Sequence, residues 1–346
     1  MSLFMSPGKQ TPPLSPTKLD YGRDGERVQD RDVHELFVPG RVCLFGEHSD
    51  WAGSFTRFNA DITPGVTIVS GTNQGLYARV KRHPSSLILT TTTDEGETVG
   101  PFELDLEPSA LLRVAQEGGF WSYAAGVAYK ICVDYRVGGL EVFNYKTDLP
   151  MRKGLSSSAA FCVLVARAFN QLYDIKMTLR GEMEYAYQGE LTTPSRCGRM
   201  DQGCAFGNRP IVMRYDGEFV GVEPLQLRGP PLHYVVVDLA GSKSTTEILA
   251  SLQAGYPFPR DDTARDVHEL LGPLNKRICE QAIAHLQEGE GEALGALMCE
   301  AQEAWDRLGM SACPAQLTAP LLHKVLRHAP LQSRIWGGKG AGSQGD

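Results

Sequence analysis

The sequence predicts an α+β protein rather than a doubly wound one. Stretches rich in β-formers cluster between residues 36 and 92, whereas helical spacing dominates after residue 109, without strict strand–helix alternation. Within the later part Gly154-Leu155-Ser156-Ser157-Ser158-Ala159-Ala160 opens a run in which Val165, Phe169 and Leu172 recur on one helical face. A tight, hydroxyl-rich turn therefore sits at the N-terminus of a buried helix.

A chain of 346 residues with 42% hydrophobic content builds one large domain or two ordinary ones. The net charge of -7 argues against a broad nucleic-acid surface. Eight cysteines are scattered without metal-site spacing and read as reduced thiols of a cytoplasmic protein. No apolar run is long enough to span a membrane, and the first residues lack the basic-then-apolar order of a secretory signal. Residues 1–33 are rich in Pro, Ser and charge and are expected to be a disordered tail. Its Ser-Pro and Thr-Pro pairs are phosphorylation candidates or simply solvated. Protein partners are left open.

The elements follow in order. Apolar residues 36–45 flank Arg41 and read as a strand, released by Gly46 into Glu47-His48-Ser49-Asp50. Residues 66–70 and 76–80 read as two strands separated by Gly and Asn, and 86–92 as a third before the charged loop 94–97. Residues 109–134 read as one helix and 139–143 as a strand leading into the hydroxyl-rich turn. Thr178 opens a helix over 179–191, followed by the Pro- and Gly-bearing loop Thr193-Pro194-Ser195-Arg196-Cys197-Gly198-Arg199-Met200-Asp201-Gln202. Residues 233–239 read as a strand, 241–246 as a polar turn, and 263–308 as helical with a break at 289–291. Met298, Trp305 and Leu308 fit a core.

The chemistry concentrates in two places. The turn at 154–160 leaves backbone N–H groups unpaired at a positive helix end, which suits a phosphate. Its hydroxyls can bind phosphate oxygens or a hard cation; a Ser-capped buried helix would read the same. Glu47, His48 and Asp50 at a strand end can accept hydrogen bonds from a sugar. A structural histidine in a polar turn is the alternative, and metal binding lacks the helical HExxH spacing.

Three motifs in order then carry a resemblance. Pro39-Gly40-Arg41 through Asp50, the turn at 154–160, and Gly337-Gly338-Lys339-Gly340-Ala341-Gly342 resemble the three motifs of the GHMP kinases. The resemblance implies a ribosomal-S5-like N-terminal domain over 34–225 and a ferredoxin-like C-terminal domain over 226–346, with the active site in the cleft. Cys197-Gly198-Arg199-Met200-Asp201-Gln202 resembles the galactokinase branch, which places the catalytic aspartate at Asp201. Arg41 would keep Asp201 ionised and stabilise the transferred phosphoryl. ATP phosphates would lie on Lys153, Gly154, Leu155, Ser156, Ser157, Ser158, Ala159 and Ala160, and Mg2+ on Ser158 and Glu190. Lys153 reads equally well as a solvated loop lysine.

Glu47, His48 and Asp50 resemble the sugar-contacting residues of galactokinases, and with Asp201 they would hold the acceptor. Trp51 and the stretch after it depart from that pattern, so the expected activity is phosphorylation of a small sugar at the anomeric hydroxyl, with the sugar open. A mevalonate-type small-alcohol kinase and a non-catalytic sugar sensor are the alternatives. The chain ends at or just after the third motif, where the family adds a strand, so a truncated form with a weakened C-terminal sheet is a further expectation.

Overall fold

The computed structural model describes residues 2–4, 32–150, 154–195, 197–241 and 243–346. Its centre is a seven-stranded mixed sheet. The strands are β2 (His34–Phe45), β3 (Gly65–His83), β4 (Ser86–Thr92), β5 (Thr98–Asp105), β6 (Gly139–Thr147), β7 (Ile211–Asp216) and β8 (Phe219–Pro224). β3 carries β2 along one edge, and β7 then β6 along the other. β4 pairs parallel with β6, and the other pairings are antiparallel.

The two strands expected at 66–70 and 76–80 are one. Gly71 and Gly75 do not turn the chain. A Cβ on Gly71 would lie 2.2 Å from the Gly207 carbonyl oxygen, and one on Gly75 would lie 2.3 Å from that of Val38. The glycines are there for close backbone approach within one long strand, whose pairing with β2 shifts register between them.

A short helix, α1 (Ser49–Ala52), follows β2. The helix expected over 109–134 is two, α2 (Pro108–Glu117) and α3 (Ser122–Asp134). Gly118 and Gly119, at φ 80° and 86°, break it in a left-handed conformation that only glycine adopts cheaply. α4 (Ser157–Tyr173) and α5 (Leu179–Glu190) match their expected positions, and the Thr178 hydroxyl caps α5 by accepting from Gly181 N. Helices α3, α4 and α5 pack on one another, and α4 lies on β2 and β3.

The C-terminal part is mainly helical: α6 (Thr245–Gln253), α7 (Asp262–Glu269), α8 (Asn275–Glu288), α9 (Gly291–Ala304), α10 (Pro314–Leu317) and α11 (Pro320–Leu326). α8 also packs on β2 and β3. One apolar core therefore runs from α4 through the sheet to Ile278, Ala282 and Leu286 of α8. Within 233–239 only β9 (His233–Val235) is strand, paired with β1 (Ser2–Phe4). Three residues of the expected tail thus take part in a sheet; residues 5–31 lie outside the described ones. No helix among the described residues is long and apolar enough to cross a membrane.

Candidate active site

The three motifs meet along one cleft of about 2880 Å³. The hydroxyl-rich turn is pinned to β2, because Arg41 N donates to the Leu155 carbonyl at 2.9 Å. Gly154 and Ser156 have φ 74° and 58°, which swings the chain so that α4 begins at Ser157. Gly154 has nothing within 4 Å of a would-be Cβ, so its backbone angle, not space, calls for glycine. Gly342 of the third motif packs here, its would-be Cβ 3.6 Å from Gly154 Cα. Lys153 lies outside the described residues.

Beside this turn Arg41 pairs with Asp201, and the Arg41 side chain is only 4% exposed. Burial pulls the guanidinium pKa down, but the charges of Asp201 and its neighbours overcome that and raise it. Among the described residues, Arg41 Nε and Nη1 are buried without a hydrogen-bond partner. Buried unpaired donors are costly, so they suit an anion arriving in the cleft. Asp201 opens a 3-10 turn, Asp201–Phe206. That turn is fixed from α4, where Arg167 donates to the Ala205 and Phe37 carbonyls and to Glu182.

Glu190 ends α5 with its side chain buried. Gln202 Nε2 donates to it at 2.8 Å, and the Ser158 and Ser195 hydroxyls each donate at 3.3 Å. Burial, joined by the Asp201 charge, pushes its pKa up to about 7 against those hydrogen bonds. No ion pair reaches Glu190 among the described residues.

The acceptor candidates are arranged differently. Gly46 and His48 both have positive φ, 101° and 68°, so consecutive side chains leave the end of β2 in divergent directions. His48 and Asp50 line the cleft. Trp51 Nε1 donates to His48 Nδ1 at 3.1 Å, which leaves the proton of a neutral ring on Nε2. Burial lowers the His48 pKa to about 4 against an opposing backbone interaction with Ser343; among the described residues no hydrogen bond reaches its buried Nε2. Burial and the Asp201 charge raise Asp50 to about 6. Asp50 accepts from Met200 N at 3.3 Å, and a Cβ on Gly198 would fall 1.6 Å from its Oδ2. Glu47 instead borders a small separate cavity together with Leu271, Asn275 and Trp305, and pairs with Lys339, which itself lines the cleft.

The structure thus brings Arg41, Asp201, Ser158, Glu190, His48, Asp50 and the turn at 154–158 together along the cleft, buries Ala159 and Ala160 within α4 away from it, and leaves Glu47 off its lining. The roles of Lys339, Trp51 and Gly198 were not read from the sequence. Only Lys339 left a signal, as the one charge inside a glycine run.

Residues 122–208 match the family described as GHMP kinases N terminal domain. A galactokinase of Thermotoga petrophila is 25% identical over 300 residues, 80% of this chain and 78% of that protein. A galactokinase of Pyrococcus furiosus is 29% identical over 299 residues, 78% of this chain and 75% of the relative. Among solved structures, Lactococcus lactis galactokinase complexed with galactose matches with a TM-score of 0.65 at 17% identity, over 90% of this chain and 83% of that one. Mevalonate kinase of L. major in complex with R-mevalonate matches with a TM-score of 0.61 at 18% identity, over 90% and 84%. With its motifs gathered along one cleft, the chain has the fold of these kinases, and its residues 122–208 match the GHMP kinase N-terminal domain.

Proposed function

We propose that the protein is an ATP-dependent kinase that phosphorylates a small sugar, at the anomeric hydroxyl. The observation that carries this is the buried Arg41–Asp201 pair, with two unpaired Arg41 donors, lining the same cleft as the turn at 154–158. Phosphoryl transfer needs positioning and charge stabilisation more than covalent chemistry. Asp201 orients the attacking hydroxyl and takes its proton. Arg41 keeps Asp201 ionised and offers Nε and Nη1 to the transferred phosphoryl. The N-terminus of α4 binds nucleotide phosphates.

Among the described residues the Glu190 carboxylate accepts hydrogen bonds from neutral donors alone, the Ser158 hydroxyl among them. That donor set fits Mg2+, which is held by one or two carboxylates together with substrate phosphates and water. Glu190 and Ser158 would hold it, and the ion would supply charge neutralisation for the phosphates. Asp50 accepts from an acceptor hydroxyl, and His48 donates from Nε2. The galactokinase relatives support a sugar as acceptor. The eight free thiols suit a cytoplasmic place of action.

The test is ADP release from ATP and Mg2+ with galactose, arabinose, fucose, glucuronate and mevalonate offered singly. Sugar-dependent ADP release with loss of the reducing end is expected. Phosphorylation of mevalonate with no sugar accepted would overturn the reading.

A further inference from the structure

Glu47 has a partner that its neighbours His48 and Asp50 lack. The side chains of Glu47 and Lys339 are 3% and 5% exposed and form an ion pair. Lys339 also donates to the Gly340 carbonyl at 2.8 Å and sits 5.9 Å above the Phe45 ring. The ammonium is thus held by a carboxylate, a carbonyl and an aromatic face, all at the end of β2 or in its own turn.

The segment that carries Lys339 is anchored independently. Gly340 N donates to Gln302 Oε1 of α9 at 2.8 Å, and a Cβ on Gly337 would fall 2.0 Å from the Gly295 carbonyl oxygen. Lys339 therefore ties a turn clamped on α9 to the end of β2. Glu47 does not line the cleft, whereas His48 and Asp50 do. Lys243 feels the Glu47 charge but forms no ion pair with it. Removing one member of a buried pair leaves the other desolvated and uncompensated, whereas neutralising both is far less harmful.

We propose that Lys339 withdraws Glu47 from acceptor recognition and makes it a latch holding the C-terminal glycine turn on β2, so that His48 and Asp50 alone read the acceptor. This rests on the sugar-kinase reading for its acceptor half. With Glu47 occupied, one fewer carboxylate is free to accept from a sugar hydroxyl. Sugars that differ at the hydroxyl Glu47 would have read are then treated alike.

The test combines thermal unfolding of the full chain with protection by ligand. Glu47→Gln and Lys339→Met should each lower the melting temperature by about 5–10 °C. The double variant should lose clearly less than the two losses added. A double variant that folds when a single one does not is the same result in stronger form, and strictly additive losses overturn the latch. In the second arm, the melting-temperature rise produced by saturating galactose with Mg2+ and a non-hydrolysable ATP analogue is measured, with arabinose and glucuronate in parallel. The rise should persist in the double variant and vanish in Asp50→Asn; its loss in the double variant returns Glu47 to the acceptor and overturns the proposal. If no sugar shifts the wild-type protein, the sugar reading fails, and the stability cycle alone decides the latch.

Discussion

The two sides of the cleft are built by different means. On the phosphoryl side, each group sits on a regular element or its end: Arg41 on β2, Ser158 in the first turn of α4, Glu190 at the end of α5, and Asp201 at the start of a 3-10 turn. On the acceptor side, the geometry comes from two left-handed residues, Gly46 and His48, and from contacts far away in sequence. Lys339, Trp51 and Gly198 set what Glu47, His48 and Asp50 can do. The candidate transfer groups thus sit on regular elements that long-range contacts bring together, whereas the candidate acceptor residues are oriented by left-handed backbone and by side chains far away in sequence.

The sharpest way to break the phosphoryl side is Asp201→Asn. Turnover should fall by about 10²- to 10⁴-fold, because the proton acceptor is lost. Nucleotide binding, read by the thermal shift with the ATP analogue, should persist. Turnover within a factor of a few of wild type would remove Asp201 from the base role.

Gly198→Ala tests the other side without replacing a charged group. A Cβ there would overlap Asp50 Oδ2 at 1.6 Å, so the carboxylate or its loop must move. The acceptor KM should rise roughly 10- to 100-fold while the ATP KM changes little. Equal rises in both would show that the loop serves the whole site and that the contrast between the sides is false.

The smallest effect is one of stability. The Glu190 pKa is raised from 4.5 to about 7 in the folded protein, so the folded state holds that proton more tightly than the unfolded one. Its contribution therefore lowers stability as pH rises through that window. Glu190→Gln removes the titration, and its stability relative to wild type should rise between pH 4.5 and 8 by up to about 3 kcal/mol. Asp50 and His48 titrate in both proteins and cancel in the difference. Urea melts at the two pH values decide it; a constant gap would mean the carboxylate is not strained by burial.

Legibility in the sequence followed the same division. Val165, Phe169 and Leu172 marked the buried face of α4, and Thr178 marked the cap of α5, because periodicity and capping are local. The break at Gly118 and Gly119 was missed, because the helical spacing resumes on both sides of it. The continuity of β3 was missed because Gly71 and Gly75 look like turn residues until the strands beside them are known.

The sequence by itself determined the α+β class, the hydroxyl-rich turn before a buried helix, and which residues are candidates for phosphoryl transfer. Those follow from side-chain period, capping and motif order, which act over a few residues. Only the tertiary structure decided that Arg41 keeps two buried donors free, that Trp51 holds the proton of His48 on Nε2, and that Glu47 pairs with Lys339 instead of facing the cleft. Glu47 and Lys339 are separated by 292 residues in sequence. No local rule joins them; burial does, because a carboxylate and an ammonium excluded from water must find each other or remain uncompensated.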